Sequence, residues 1–313
     1  MLRRALRAFR IFPWHVPRLT AHDGGSKVKL FTRRSALAIC SLPLRSAAVP
    51  ELSPKILFAV AAVFFIGISK AGFGGGLGLL TTPLAVLTFG SKDAIGVILP
   101  LLCAGDAFSL WNYWGKWDAR NLKFLLPGVT AGIVIGVQLI GQFSARQLNV
   151  VIGSIAVGFV VFQFVKEKIF RAEGAFQPNH SVGAPIGIAT GITSTFAHGA
   201  GPVVSMFLIP QRLPKEIYVA TNVLIFTFVN WLKMPFFCID RTQINYPVFA
   251  PHALITRETL IISAIFFPLV PLGVWLGVWM NRRISEAAFL KVVYTLLFVT
   301  GLELIFKFER WWS

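Results

Sequence analysis

Two glycine-rich breaks interrupt the apolar stretches of this chain at corresponding places. They lie at residues 69–76 and 196–202. In each, a Gly-x-Gly is followed nine residues later by a proline: Gly72, Gly74 and Pro83, then Gly199, Gly201 and Pro210. Glycine inside a helix costs about 1 kcal/mol relative to alanine, so the exposed backbone must be put to use. Broken apolar segments at matching positions indicate a transporter's substrate site.

The composition predicts an all-α polytopic membrane protein. Of the 313 residues, 55% are hydrophobic and only 14% are charged, and the mean hydropathy is +0.70. Soluble domains carry about 25% charged residues, and about 20 apolar residues cross a bilayer as a helix. A membrane barrel is the alternative, but its strands alternate over about 10 residues. The apolar runs here are longer and do not alternate, so helices are predicted.

Eight apolar segments are long enough to cross a membrane. They are 55–73, 93–115, 121–142, 147–165, 181–198, 215–238, 257–281 and 287–308. Two shorter pieces, 75–90 and 200–210, follow the breaks. The second piece has 11 residues, rises only about 16 Å as a helix and cannot span alone. We expect both pieces to be re-entrant half-helices whose free backbone faces protein or water.

The two halves of the sequence correspond at a constant offset. Adding 127 to a residue number pairs Ile95 with Asn222 and Asp106 with Lys233. Within a transporter domain at 51–313, the predicted repeat halves are 55–165 and 181–308, each a broken segment followed by three spans. Loop lysines and arginines favour both termini on the inside. The alternative is ten spans with an inverted repeat.

Residues 1–50 form a basic segment outside this domain. They hold ten Lys and Arg against one acid, and so contribute +9 of the net charge of +17. A disordered cytoplasmic tail is the preferred interpretation, and an organellar transit peptide or a twin-arginine signal are the alternatives. The remaining charge is spread over short loops, so no nucleic-acid partner is expected. Three dispersed cysteines give no disulfide framework or metal site.

The glycines of the breaks are predicted to bind an anion. Without side chains, successive N–H groups can point at one oxyanion, and a half-helix starting there adds its positive dipole end. The glycines assigned to this role are Gly72, Gly74, Gly75 and Gly76 in the first break and Gly199 and Gly201 in the second. Close helix packing is the alternative for glycines; it suits 132–136 better than 74–76.

Three ionisable residues are candidates for the site. Lys70, beside the first break, would attract an anionic substrate, or would extend to the membrane interface instead. His198, in the second break, would donate to a substrate oxygen or carry a coupled proton; a simple hydrogen bond at a helix end is the alternative. Asp106 would be a proton carrier or counter-ion, or a structural partner of Lys233.

Uncharged polar residues surround the second break. Thr221 and Asn222 are predicted substrate-binding donors, with further donors at Thr193, Ser194, Thr195 and Asn230. Serine and threonine in helices more often bond their own backbone.

The first break with its flanks resembles the TauE/SafE family of sulfite exporters. The stretch 68–84, ISKAGFGGGLGLLTTPL, and the following 92–96, KDAIG, carry the resemblance, and 199–201 with Pro210 and 220–222 is similar to the family's repeat. The likeness covers about 55–310. It implies secondary transport of small sulfur oxyanions or organosulfonates such as sulfite or sulfoacetate, outward across the bacterial cytoplasmic membrane. The second motif lacks a glycine triplet, which leaves the anion open.

We therefore expect an anion transporter, not an enzyme, without cofactor or metal. Its partners would be a small anion and the lipid bilayer of the cell inner membrane, an organellar membrane being the alternative; homo-oligomerisation is left open. A passive anion channel is the first rival. A membrane enzyme or assembly protein would need a nucleophile, metal ligands or a soluble domain, and a cation transporter would need more deep carboxylates.

Overall fold

The computed structural model describes residues 55–70, 78–169, 177–239, 252–283 and 286–307, and these fold into helices. The helices are α1 Ile56–Lys70, α2 Gly78–Phe89, α3 Ser91–Asn112, α4 Ala119–Ile140, α5 Ala145–Ile169, α6 His180–Ala197, α7 Ala200–Leu208, α8 Lys215–Cys238, α9 Arg257–Phe266, α10 Leu269–Arg283 and α11 Glu286–Phe306; a 3₁₀ turn, Ile209–Gln211, follows α7. The basic segment 1–50, the domain boundary that follows it, and Gly72, Gly74, Gly75 and Gly76 lie outside the described residues.

Several of these helices are long and apolar enough to cross a membrane. In the described part of the chain, α3, α4 and α8, together with α5 over Ala145–Val165, meet both criteria. The pair α9 and α10 meets them jointly but bends by 44°. The sequence predicted one continuous span at 257–281, so the bend is a correction. Its physical cause is Pro268, which lies at the break and has no backbone N–H to continue the helix.

Short apolar helices follow the positions of both breaks. The helix α2 has 12 residues and α7 has 9, and at 1.5 Å per residue neither reaches across about 30 Å of hydrocarbon. This agrees with the two short pieces predicted from the sequence. A single residue, Gly90, separates α2 from α3. Its φ of 79° is one that glycine adopts without steric cost, so the chain reverses tightly there.

Glycines bring α4 and α6 into backbone contact. A Cβ atom at Gly128 or Gly132 of α4 would overlap the backbone of Ala184 or Ile188 in α6. Glycines of α6 face the backbone of α4 in the same way. The prediction that 132–136 serves close helix packing is therefore confirmed. We call this contact the glycine seam.

Three further helix pairs complete the core. The helix α1 packs on α10, α3 packs on α8, and α5 packs on α11. A large set of fully buried aliphatic side chains lies between these helices. The ends of α1 and α6 and the start of α7 meet α3 and α8 inside this packing, and several of the buried polar side chains gather there.

Candidate functional site

The second break is only two residues long. The helix α6 ends at Ala197, and α7 begins at Ala200. Between them, His198 has φ 50° and ψ 26°, the left-handed conformation. Histidine tolerates this conformation better than most side chains do. The sequence located the break correctly, but the residue that turns the chain is the histidine.

Side chains of other helices bind the carbonyls at the end of α6. Thr82 Oγ1 of α2 donates to Ala197 O at 2.9 Å. Lys233 Nζ of α8 donates to Ser194 O at 2.9 Å. A helix end leaves its last carbonyls without intrahelical donors, so these bonds hold the broken helix against α2 and α8.

A cavity of about 80 Å³ lies beside this break. That volume has room for several water-sized groups, and hence for an ion of a few heavy atoms. Its walls come from α1, α2, α3, α6, α7 and α8. The described lining residues are Ser69, Lys70, Gly78, Leu102, Ser109, Tyr113, Ser194, His198, Ala200, Gly201, Tyr218, Val219, Asn222, Val223, Phe226 and Asn230. Four residues assigned from the sequence, Lys70, His198, Gly201 and Asn222, thus meet at one cavity.

Lys70 reaches the cavity while its carboxylate partner lies behind it. Lys70 Nζ donates to Asp106 Oδ1, and Asn230 Nδ2 donates to Asp106 Oδ2 at 2.7 Å. The Asp106 side chain is fully buried, whereas that of Lys70 is 11% exposed. The ring of Phe226 also lies within 5.9 Å of the ammonium. Lys70 further occupies the last turn of α1, where the helix dipole favours a cation.

The partner of Asp106 differs from the one the sequence suggested. The corresponding position in the second half is Lys233, and a pair between the two was the structural alternative. In the structure Asp106 pairs with Lys70 and Asn230 instead. Lys233 instead donates to Ser194 of α6 and to His198, which follows the end of that helix.

Lys233 and His198 form a separate buried cluster. Lys233 Nζ donates to Ser194 O and Ser194 Oγ, both at 2.9 Å, and lies 3.1 Å from His198 Nδ1. His198 Nε2 lies 3.2 Å from Ile95 O. Because a carbonyl only accepts, Nε2 carries the imidazole proton and Nδ1 accepts from the ammonium. Both ring nitrogens of His198 are therefore engaged by protein groups.

Two assigned residues of the second half do not line the cavity. The Thr221 hydroxyl donates to Ile217 O at 2.7 Å and accepts from the backbone N–H of Asp118 at 3.0 Å. It links α8 to the start of α4, as the structural alternative for a helix threonine implied. Gly199 is absent from the lining, and a Cβ atom there would lie 2.7 Å from the side chain of Leu79.

Asn222 is one of the lining residues, and its side-chain oxygen is buried. Its side chain is 5% exposed. The amide nitrogen Nδ2 donates to Tyr218 O at 3.0 Å, whereas Oδ1 has no hydrogen-bond partner among the described residues.

Sequence reasoning missed part of the lining. Tyr218 and Phe226 share a stripe of α8 with Asn222 and Asn230, because residues four apart stack on one helix face. That spacing of polar and aromatic residues was the available signal. The hydroxyls of Tyr218 and Ser205 lie 3.0 Å apart, which ties the stripe to α7.

Several membrane-length helices around an internal cavity beside a helix break form an architecture that membrane transporters share. The profile of the sulfite exporter TauE/SafE family matches residues 59–304. The match covers most of the chain, and the chain belongs to this family, whose members are membrane transporters. Comparison with curated proteins and with solved structures gives no match.

Proposed function

We propose that this protein is a secondary transporter that exports small sulfur oxyanions or organosulfonates, and that the anion binds in the cavity against Lys70. The observation that carries the proposal is the arrangement of the Lys70–Asp106 pair. The ammonium lines the cavity, and the carboxylate lies behind it without lining the cavity. An anion can therefore approach the lysine from the side opposite to Asp106.

The start of α7 supports anion binding at the same cavity. Ala200 and Gly201, the first two residues of this helix, are part of the lining. A helix N-terminus presents unpaired N–H groups and the positive end of its dipole. An anion held by Lys70 would also be favoured there. Membership of the sulfite exporter TauE/SafE family supports a sulfur oxyanion over other anions.

For proton coupling, the geometry favours Asp106 over His198. An anion that takes over the Lys70 ammonium leaves Asp106 with Asn230 as its remaining hydrogen-bond donor. A fully buried carboxylate that loses its counter-ion is stabilised by taking up a proton. His198, by contrast, has both nitrogens occupied, one of them by an ammonium group. Coupling would then arise from competition between substrate and carboxylate for one lysine.

We also propose eight spans in two pseudo-symmetric halves, with both termini inside the cell and the bacterial inner membrane as the location. The order of helices supports the halves, since each contains a short helix after a break. The packing supports them as well. The broken helix α1 packs on α10 of the other half, and the broken helix α6 packs on α4.

Sulfite flux into proteoliposomes tests the role of the pair. The variant Lys70→Gln with Asp106→Asn removes one charge of each sign, so the buried net charge does not change. We expect the flux to fall by at least about tenfold, as the loss of one charged contact of about 1.4 kcal/mol implies. The matched control is Lys116→Gln with Glu216→Gln, which removes an exposed pair of the same types. Wild-type flux in the Lys70 and Asp106 variant would contradict the proposal.

A further inference from the structure

The internal cavity reaches toward one end of the helix bundle. Its lining follows one face of α8 from Asn230, in the middle of the helix, to Tyr218, three residues after the helix begins. On α3 the lining ends at Tyr113, the residue that caps the helix. Both tyrosines are partly exposed, whereas Asn230 is buried. The cavity therefore extends from the interior toward the place where α3 ends and α8 begins, and we call Tyr113 and Tyr218 the entrance.

Two exposed cations lie beside the entrance. Lys215 is the first residue of α8, and Arg212 lies three residues before it. Both residues are exposed, and neither forms an ion pair among the described residues. The neighbouring acid, Glu216, accepts from Lys116 at 2.7 Å, so that pair adds no net charge. Two positive charges thus lie here without a described acidic partner, and we call Arg212 and Lys215 the entrance cations.

Lys215 lies on the face of α8 that lines the cavity. Residues four and seven apart share one face of a helix, and at these spacings Lys215 is followed by Val219 and Asn222, which both line the cavity. Phe226, on the same face, has its ring 5.9 Å from the Lys70 ammonium. At 1.5 Å per residue, Phe226 is about 16 Å from Lys215 along the helix. One helix face therefore connects an exposed cation to the lysine of the candidate site.

The turn before α8 holds Arg212 close to Lys215. Arg212 has φ 51°, and its backbone N–H donates to Ile209 O at 3.1 Å. The side chain of Gln211 donates to Asn121 Oδ1 at 2.8 Å, which ties this turn to α4. Three residues of chain span at most about 11 Å, close to the Debye length of about 8–10 Å at moderate ionic strength. An anion at the entrance would therefore interact with both cations.

The entrance cations differ from Lys70 in what competes for them. Lys70 pairs with Asp106, so an anion that binds Lys70 has to displace a carboxylate. No described carboxylate pairs with Arg212 or Lys215. Unbalanced charge beside a cleft raises the local concentration of oppositely charged ligands and the rate at which they associate. The entrance is thus suited to attract an anion, and the interior to hold it.

We propose that Arg212 and Lys215 form an entrance site, which attracts and binds a small oxyanion before it moves along α8 to Lys70. This rests on the proposed function, because it assigns the way into the same cavity. The entrance cations recognise negative charge and not one particular anion. They raise the rate at which the anion arrives and leave the later steps unchanged. They therefore lower the half-saturating substrate concentration without changing the maximal flux.

Sulfite flux into proteoliposomes tests the entrance site. In the variant Arg212→Gln with Lys215→Gln, we expect the half-saturating sulfite concentration to rise about fivefold at low ionic strength, with an unchanged maximal flux. The measurement is repeated with about 1 M potassium gluconate on both sides of the membrane, where the Debye length falls to about 3 Å. The difference from the unmodified protein should then be less than about twofold. Gluconate is too large for a cavity of about 80 Å³.

Two further variants show whether charge at this place is responsible. Arg212→Lys with Lys215→Arg keeps both charges and should behave as the unmodified protein does. The matched control is Lys291→Gln with Lys307→Gln, which removes two exposed cations that do not line the cavity. Lys307 has φ 52°, so it also matches the backbone conformation of Arg212. This control should leave both the half-saturating concentration and the maximal flux unchanged.

The outcomes separate the entrance site from the function on which it rests. An unchanged half-saturating concentration in the Arg212 and Lys215 glutamine variant overturns the entrance site. The same defect at high ionic strength, in the charge-conserving variant or in the matched control overturns it as well, because charge at the entrance would not be the cause. If the unmodified protein shows no saturable sulfite flux, the proposed function itself fails. Flux that depends on Lys70 but not on Arg212 and Lys215 disproves the entrance site alone.

Discussion

At two junctions the end of one helix meets the middle of another: α1 meets α3, and α6 meets α8. Each junction contains a lysine, but the lysine belongs to the helix that ends at the first junction and to the long helix at the second. At the first, the cation is Lys70 at the end of α1, and the acid is Asp106 in the middle of α3. At the second, the end of α6 supplies neutral acceptors, Ser194 and His198, and the cation Lys233 lies in the middle of α8. Aligned positions of the two halves, Asp106 and Lys233, thus carry opposite charges.

The difference separates a lysine that lines the cavity from a lysine that is surrounded by protein acceptors. Lys233 is fully buried, does not line the cavity, and has three protein acceptors. Lys70 shares one carboxylate with Asn230 and lines the cavity. A lysine at depth in a membrane protein is a functional candidate by default. The comparison predicts a functional role for Lys70 and a structural role for Lys233.

The largest expected effect is on stability at the second junction. Lys233→Met removes the ammonium donor from Ser194 Oγ and from His198 Nδ1, and each such loss at a buried acceptor costs about 1–3 kcal/mol. The double variant of Lys70→Gln with Asp106→Asn keeps a hydrogen-bonded neutral pair and should cost less. Thermal unfolding of the detergent-solubilised proteins compares the two. An equal or larger loss in the double variant would contradict the assignment of Lys233 as the structural lysine.

His198 provides a smaller test of the same junction. His198→Ala loses the hydrogen bonds of the ring, worth about 1 kcal/mol each, and places alanine in the left-handed conformation at a further cost of about 1–2 kcal/mol. Asparagine adopts that conformation more easily, so His198→Asn should be more stable than His198→Ala by about 1 kcal/mol. The order is read from their unfolding temperatures. An alanine variant as stable as the asparagine variant would show that the turn is unstrained.

At the first junction, a single substitution should strengthen anion binding. Asp106→Asn removes the carboxylate that competes for Lys70, while its amide oxygen can still accept from Asn230. We expect the affinity for sulfite to rise by about three- to tenfold, a change of about 0.7–1.4 kcal/mol. Titration calorimetry measures it, with Asp118→Asn at the half-buried N-cap of α4, where asparagine also caps, as a control for overall charge. Weaker binding would mean that Asp106 holds Lys70 in place for the ligand.

The smallest effect is expected at the exposed pair of Lys116 and Glu216, 2.7 Å apart. A hydrogen bond to Glu216 raises the pKa of Lys116 above its ordinary value of 10.5. A raised lysine pKa means that the contribution of the pair is present at neutral pH and is lost only as pH rises beyond that value. Solvent screens such pairs, so replacing both residues with glutamine should not measurably shift the unfolding temperature. A clear shift would show that this exposed pair contributes to stability as a buried pair does.

The sequence was sufficient for the positions of the helices and for part of the cavity. Apolar runs and breaks located the ends of α3, α4 and α8 within a few residues, because long apolar runs and glycine punctuation are strong local signals. Lys70, His198 and Gly201 meet at one cavity because each lies at or near a break, and Asn222 reaches the same cavity from within α8. Their role in binding substrate stays a prediction, as does that of Gly72, Gly74, Gly75 and Gly76.

The partners of individual side chains could not be predicted in the same way. A helix that is apolar on all sides gives no periodic pattern from which its rotation could be read. The sequence alone therefore left open whether Asp106 faces Lys70 or Lys233, and whether Thr221 faces the cavity or α4. The bend at Pro268 was visible as a proline but was included in a continuous span, because membrane helices often tolerate proline.

The glycine seam has a mechanical consequence. Where backbone lies directly on backbone, no side chain can change rotamer to let one helix slide along the other. The helices α4 and α6 should therefore move together as one rigid body, and the end of α6 and His198 should move with them. The contacts of α6 with α8 and α2 are made by the long or rotatable side chains of Lys233 and Thr82. A gate that exposes the cavity alternately to either side of the membrane would open along those contacts, while α4 and α6 stay packed together.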